Sequence, residues 1–176
     1  MKIIDLLESK SAPLYHATHD TYAADIIAGN KLEGMTEQVI NGKRVMGVSL
    51  TRSLAFARQW GKIIFKLNQE KLAHRYKLVP IDYFQTNGED NSKVKHFLGR
   101  RQGKFAEAEE FVIAPEIKNL DQYIDEIIIT KETETRLRNE LKANSMLVKA
   151  GDGMLHPQTP IDGINKILNS PKLKVV

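Results

Sequence analysis

The chain reads as a mixed α+β domain built on a strongly bent, mixed or antiparallel sheet with flanking helices. Two observations predict this class. Short β-rich runs outnumber helical ones, and the two kinds do not alternate in the regular way that a doubly wound parallel sheet requires. A length of 176 residues suits one domain spanning 1–176, large enough to bury a core without metal or disulfide support.

The elements follow in order. The start, MKIIDLLESK, has Ile3, Ile4, Leu6 and Leu7 on one side of a short helix; it carries acids and no long apolar segment, unlike a secretory signal. PLYHA (13–17) reads as a strand. In DTYAADIIAGNKLEG, Ala23, Ile26 and Ile27 have helical spacing, Asp20 is the expected cap, and Gly29-Asn30 the expected stop. TEQVINGKRVM reads as a polar loop with a tight turn at Asn41-Gly42. GVSLT (47–51) is the second strand, and Ser53 is placed to cap a helix through SLAFARQW. IIFKLN (63–68) is β-rich, and YKLVPIDYF (76–84) continues extended, with Pro80 favouring a sheet edge. TNGEDNSKVKHFLGRRQGKF is a polar, locally basic loop. EEFVIAP and IDEIIIT are strands, KETETRLRNELKAN is a helix with favourable charge spacings, and the tail holds one short amphipathic segment.

Composition narrows the function. The absence of cysteine excludes disulfides, thiolate nucleophiles and cysteine-ligated metals. Runs such as IDEIII and KIIFKL fall far short of the roughly 18 residues a membrane helix needs. The net charge of +4 permits nucleic-acid contact without demanding it. There is no P-loop, no dinucleotide-binding glycine fingerprint, no HExxH and no GxSxG. The histidines at 16, 19, 74, 96 and 156 lack metal-ligand spacing, so no metal is expected.

Three segments carry chemistry-bearing residues. Tyr15-His16-Ala17-Thr18 ends a strand with a titratable ring and a hydroxyl. In Gly47-Val48-Ser49-Leu50-Thr51-Arg52, alternation puts Ser49 and Thr51 on one strand face. In Glu107-Ala108-Glu109-Glu110-Phe111-Val112-Ile113, carboxylates cluster at the entry to an apolar strand, where mutual repulsion marks many functional sites. Taken singly, each has a plain structural explanation: a satisfied histidine, routine strand hydroxyls, a solvated strand edge.

In order, LYHATHDTYAADIIAGNKL, GVSLTRSLAFA and EAEEFVI resemble the ADP-ribosyltransferase fold, in its branch with a histidine, a hydroxyl or aromatic residue and a glutamate. With IIFKLNQEKLAHRYKLVP and EAEEFVIAPEIKNLDQYI they resemble, more narrowly, small ADP-ribosyltransferase-like proteins of bacteriophages. The resemblance covers about residues 13–130 and leaves 131–176 as a C-terminal helix and tail.

It implies a split, bent sheet whose cleft takes NAD as a substrate, with no metal, and loss of nicotinamide through an oxocarbenium-like transition state that a carboxylate stabilises. Glu109 is the first choice for that carboxylate, because Glu107-x-Glu109 matches the family's paired glutamates; Glu110, directly before the apolar run, is its rival. Strand alternation puts the two on opposite faces, so one of them serves. His16 would bond a ribose hydroxyl, the Ala17 backbone would hold the nicotinamide amide, and Thr18 would support that turn. Ser49, backed by Thr51, would orient the ribose and the glutamate; Arg52 would pair a phosphate. Tyr22 or Phe56 could stack on nicotinamide, although a helical core position suits both.

Ser49 stands where polymerase-type members have tyrosine, which favours single transfers over chain growth. The resemblance therefore implies a mono-ADP-ribosyltransferase acting on a host protein or nucleic acid in the bacterial cytoplasm, or packaged in the virion, with no membrane partner. Two other readings share the fold. RNA 2′-phosphotransferase chemistry would use Arg52, Arg100 and Arg101 around the cleft, and a non-catalytic binding or virion protein would keep the fold alone.

Overall fold

The structure, a computed structural model, is described over residues 13–81, 109–149 and 158–176. The N-terminal helix expected within residues 1–10, the basic loop ahead of the acidic cluster, and Glu107, Arg100 and Arg101 lie outside the described residues.

Strand β1 (Leu14–Thr18) leads into helix α1 (Asp20–Gly29). The residue at the N-cap position is His19, and its side chain makes no capping bond. Asp20, the expected cap, lies inside the first turn and forms an ion pair with Arg136 instead. At the other end Asn30 adopts the left-handed conformation (φ 50°), its amide bonding the Ile26 carbonyl, so the expected stop is found one residue past the glycine.

After the short β2 (Lys31–Glu33), the expected polar loop is a hairpin, β3 (Thr36–Ile40) and β4 (Lys43–Thr51). Asn41 and Gly42 both have positive φ, 52° and 70°, the geometry of the tight turn that Asn-Gly predicts. The polar sequence obscured these strands because they use one buried face sparingly. The Ser53 hydroxyl accepts the Phe56 amide at 3.1 Å and caps α2 (Leu54–Trp60), as expected. Strand β5 (Ile63–Leu67) is followed by a helix absent from the sequence reading, α3 (Gln69–Arg75), capped by Asn68. Strand β6 (Leu78–Ile81) contains Pro80 and closes one edge of the sheet. Then come β7 (Glu109–Val112), β8 (Glu116–Lys118), β9 (Ile124–Ile129), α4 (Lys131–Lys149), α5 (Gln158–Leu168) and β10 (Leu173–Val175).

Among the described residues the main sheet has eight strands in the order β10-β9-β5-β1-β4-β7-β6, with β3 added on β4; β2 and β8 form a separate pair. Only β10 on β9 is parallel. The fold class is thus α+β with a mixed, curled sheet.

Strand parity sorts the side chains onto two faces. One face carries Leu14, Val48, Leu50, Phe65 and Val112, packed under α1, α3, α4 and α5 through Ala23, Ala24, Leu72, Leu137 and Ile167. The other carries Ile64 and Ile128, covered by Leu54 and Ala57 of α2. At its far end Phe111 and Ile81 pack with Ile40 of the hairpin.

The C-terminal segment is built into this core. Helix α5 lies so close to α1 that a Cβ at Gly163 would fall 2.0 Å from the Ala24 carbonyl oxygen. The core therefore reaches beyond residues 13–130. No described helix is long and apolar enough to cross a membrane.

Candidate active site at the split in the sheet

Strand β1 pairs with β5 over five residues, from Leu14↔Leu67 to Thr18↔Ile63, but with β4 only at Tyr15↔Thr51. Beyond that pair β1 and β4 part. A cavity of about 510 Å³ occupies the fork, beneath α1 and beside β3. Its lining includes His16 and Thr18 from β1, Tyr22 and Asp25 from α1, and Val48 and Ser49 from β4. The volume is within the usual range for small-molecule sites.

His16 bridges the fork. Its Nδ1 lies 3.4 Å from the Ser49 carbonyl oxygen, a long hydrogen bond that requires the proton on Nδ1, because a carbonyl only accepts. Burial lowers its pKa, and the hydrogen bond to Ser49 opposes this with a smaller effect. The ring is therefore held neutral, with Nε2 as an acceptor for a ligand donor such as a hydroxyl. Thr18 is buried at the end of β1, and Gly61 packs on its backbone so closely that a Cβ there would meet Thr18 N and O at 2.4 Å. Glycine is required at that approach, and it fixes the position of α2 against the strand end.

The acidic cluster divides as alternation predicts, and the register says how. Tyr15↔Thr51↔Glu109 form one row of backbone partners across β1, β4 and β7. Glu110 pairs with Leu50 and belongs to the α1 face, onto which the cavity opens. The next row reads Ile127, Phe65, His16 on one side of the split and Leu50, Glu110 on the other. His16 and Glu110 thus share a face and, by continuation of the register, a row; the first-choice Glu109 shares neither.

Glu110 does not line the cavity. Its side chain is 1% exposed, and Arg52 donates to its Oε1 from both Nε (3.1 Å) and Nη2 (2.7 Å). Arg52 Nη1 donates to Gln69 Oε1 at 2.9 Å, at the start of α3. Arg52, expected to meet a phosphate, is part of a largely buried network with Glu110 and Gln69. Thr51 is buried and its Oγ1 accepts the Ser53 amide at 3.1 Å, which pins the turn from β4 into α2.

The two candidate stacking residues differ. Tyr22 is not a core residue: it is 64% exposed, because its position on α1 faces the cavity mouth rather than the sheet. Phe56 is half-buried on α2 and lies 6.0 Å, ring to ring, from Trp60, away from the cavity lining. Ala17 packs with the small cluster under α2 and is not among the cavity-lining residues. Trp60, 64% exposed beside Gly61, and Met35, 82% exposed at the cavity mouth, were missed by sequence reasoning.

The Arg52–Glu110 pair had a readable signal. Val48, Leu50 and Arg52 share parity, so an arginine continues the apolar face of β4 and calls for a buried acid. Nothing in the sequence pointed to Gln69. No cluster of three or more metal-ligating side chains occurs among the described residues. Protein-family models, characterised proteins and solved structures offer no match to this chain.

Proposed function

We propose that the protein is an NAD-dependent mono-ADP-ribosyltransferase of phage type, with its reaction centre at the split between β1 and β4. The observation that carries this reading is His16: a neutral ring at the fork, tied to the Ser49 carbonyl, on the face and in the row of Glu110.

The chemistry follows from those groups. With Nδ1 committed to Ser49, His16 Nε2 accepts a hydrogen bond from a hydroxyl of the nicotinamide ribose. Glu110 supplies the negative charge that stabilises positive charge at ribose C1 as the bond to nicotinamide breaks and the electron pair leaves with the pyridine nitrogen. An acceptor nucleophile then bonds to C1 and loses its proton. Two strand spacings separate the Cα atoms of His16 and Glu110, at least about 10 Å, and the buried Leu50 lies between them in the row. The choice of Glu110 over Glu109 rests on the shared face. Tyr22 and Met35 at the mouth offer a flat ring and a thioether to a stacked base. The acceptor would be a host protein or nucleic acid in the bacterial cytoplasm. RNA 2′-phosphotransferase chemistry is less well supported, because Arg52 is engaged by Glu110 and Gln69.

Incubation with labelled NAD and bacterial lysate should release nicotinamide and transfer label, and Glu110→Gln should lower the rate at least about 100-fold while NAD still binds. Absence of both release and transfer in the wild type would sink the reading, and NAD binding without turnover would leave a binding protein. Loss of activity in Glu109→Gln alone would reverse the choice of glutamate.

A further inference from the structure

A buried ion pair is a poor stabilising device. Desolvating both charges costs about what their attraction returns, and apolar replacements of equal volume are often neutral or better. Yet Glu110 and Arg52 are sealed together, their side chains 1% and 11% exposed, on the face of the sheet that the cavity shares.

The geometry around them is over-determined. The guanidinium places Nε and Nη2 on one oxygen of Glu110 and Nη1 on Gln69, so a strand and a helix hold its plane from opposite ends. Gln69 is itself buried. The backbone that carries Arg52 is pinned in turn: Thr51 Oγ1 takes the Ser53 amide, and Ser53 Oγ takes the Phe56 amide. A chain of fixed contacts thus runs from the β4–α2 turn, through Arg52, to one carboxylate oxygen. Lysine cannot reproduce it, because an ammonium has no planar fork.

We propose that Arg52, braced by Gln69, is the positioning residue for the Glu110 carboxylate during cleavage of NAD. Arg52 touches no substrate; it sets the direction of the carboxylate relative to the row that contains His16. This rests on the transferase reading and adds to it a residue pair that acts through the glutamate.

The test compares wild type, Arg52→Met, Arg52→Lys and Gln69→Met for nicotinamide release, with NAD affinity by calorimetry. Arg52→Met should lower kcat about 100-fold, the scale of loss from a misplaced catalytic group, with NAD affinity within about threefold of wild type. Arg52→Lys should leave kcat about tenfold low with NAD affinity unchanged, and Gln69→Met should cost about threefold to tenfold.

Where Arg52→Met does not fold, Gln69→Met carries the test, since it removes the brace and leaves the ion pair. A folded Arg52→Met or Gln69→Met protein with wild-type kcat overturns the proposal, as does a fall in kcat matched by an equal loss of NAD affinity. Absence of nicotinamide release from the wild type defeats the transferase reading itself, whereas an active wild type with unaffected variants defeats only the positioning role.

Discussion

The two sides of β1 make opposite use of the same five residues. Toward β5 every residue has a partner, and Phe65, opposite His16, is fully buried. Toward β4 pairing stops after Tyr15↔Thr51, and the same His16 reaches across to the Ser49 carbonyl at the wall of a cavity. One side supplies the backbone hydrogen bonds and apolar burial that hold the strand. The other can then give up pairing and keep polar groups at a concave surface. A strand anchored on one edge is what permits a site on the other.

Three measurements break or sharpen this contrast. The largest effect belongs to the paired side: Phe65→Ala empties a fully buried site and should cost about 3–5 kcal/mol in urea unfolding. A loss below about 1 kcal/mol would mean that β5 is not the anchor.

The second effect is smaller and depends on pH. The pKa of His16 is lowered in the fold, so the unfolded chain takes up the proton first as pH falls through about 6.5. Stability contributed by the neutral ring is therefore full above that pH and declines below it, by at most ~1.4 kcal/mol per pH unit for one group. His16→Gln should flatten the unfolding free energy between neutral and mildly acidic pH; an unchanged slope would show that the ring does not titrate this way.

The smallest effect lies at the cavity mouth. Tyr22→Ala should change stability by no more than about 0.5 kcal/mol, because the side chain is 64% exposed. A loss of several times that would place Tyr22 in the core after all.

The sequence alone determined the local features that depend on a few neighbouring residues. Asn41-Gly42 gives its turn because both residues tolerate positive φ, Ser53 caps its helix through its own hydroxyl, and Pro80 keeps its strand at a sheet edge. Alternation likewise separated Glu109 from Glu110 before any contact was known. The acidic residue expected to cap α1, by contrast, was drawn off by Arg136, which lies 116 positions away along the chain by its number, and the polar hairpin hid its strands.

Only the tertiary structure decided which face each glutamate joins, because face identity depends on the register between β4 and β7, with 57 sequence positions between Thr51 and Glu109. It also decided that Arg52 meets Glu110 and Gln69. Local pattern fixes how a side chain alternates along its own strand; the partner across the sheet is fixed by packing of segments distant in sequence, and that packing is where the candidate site is made.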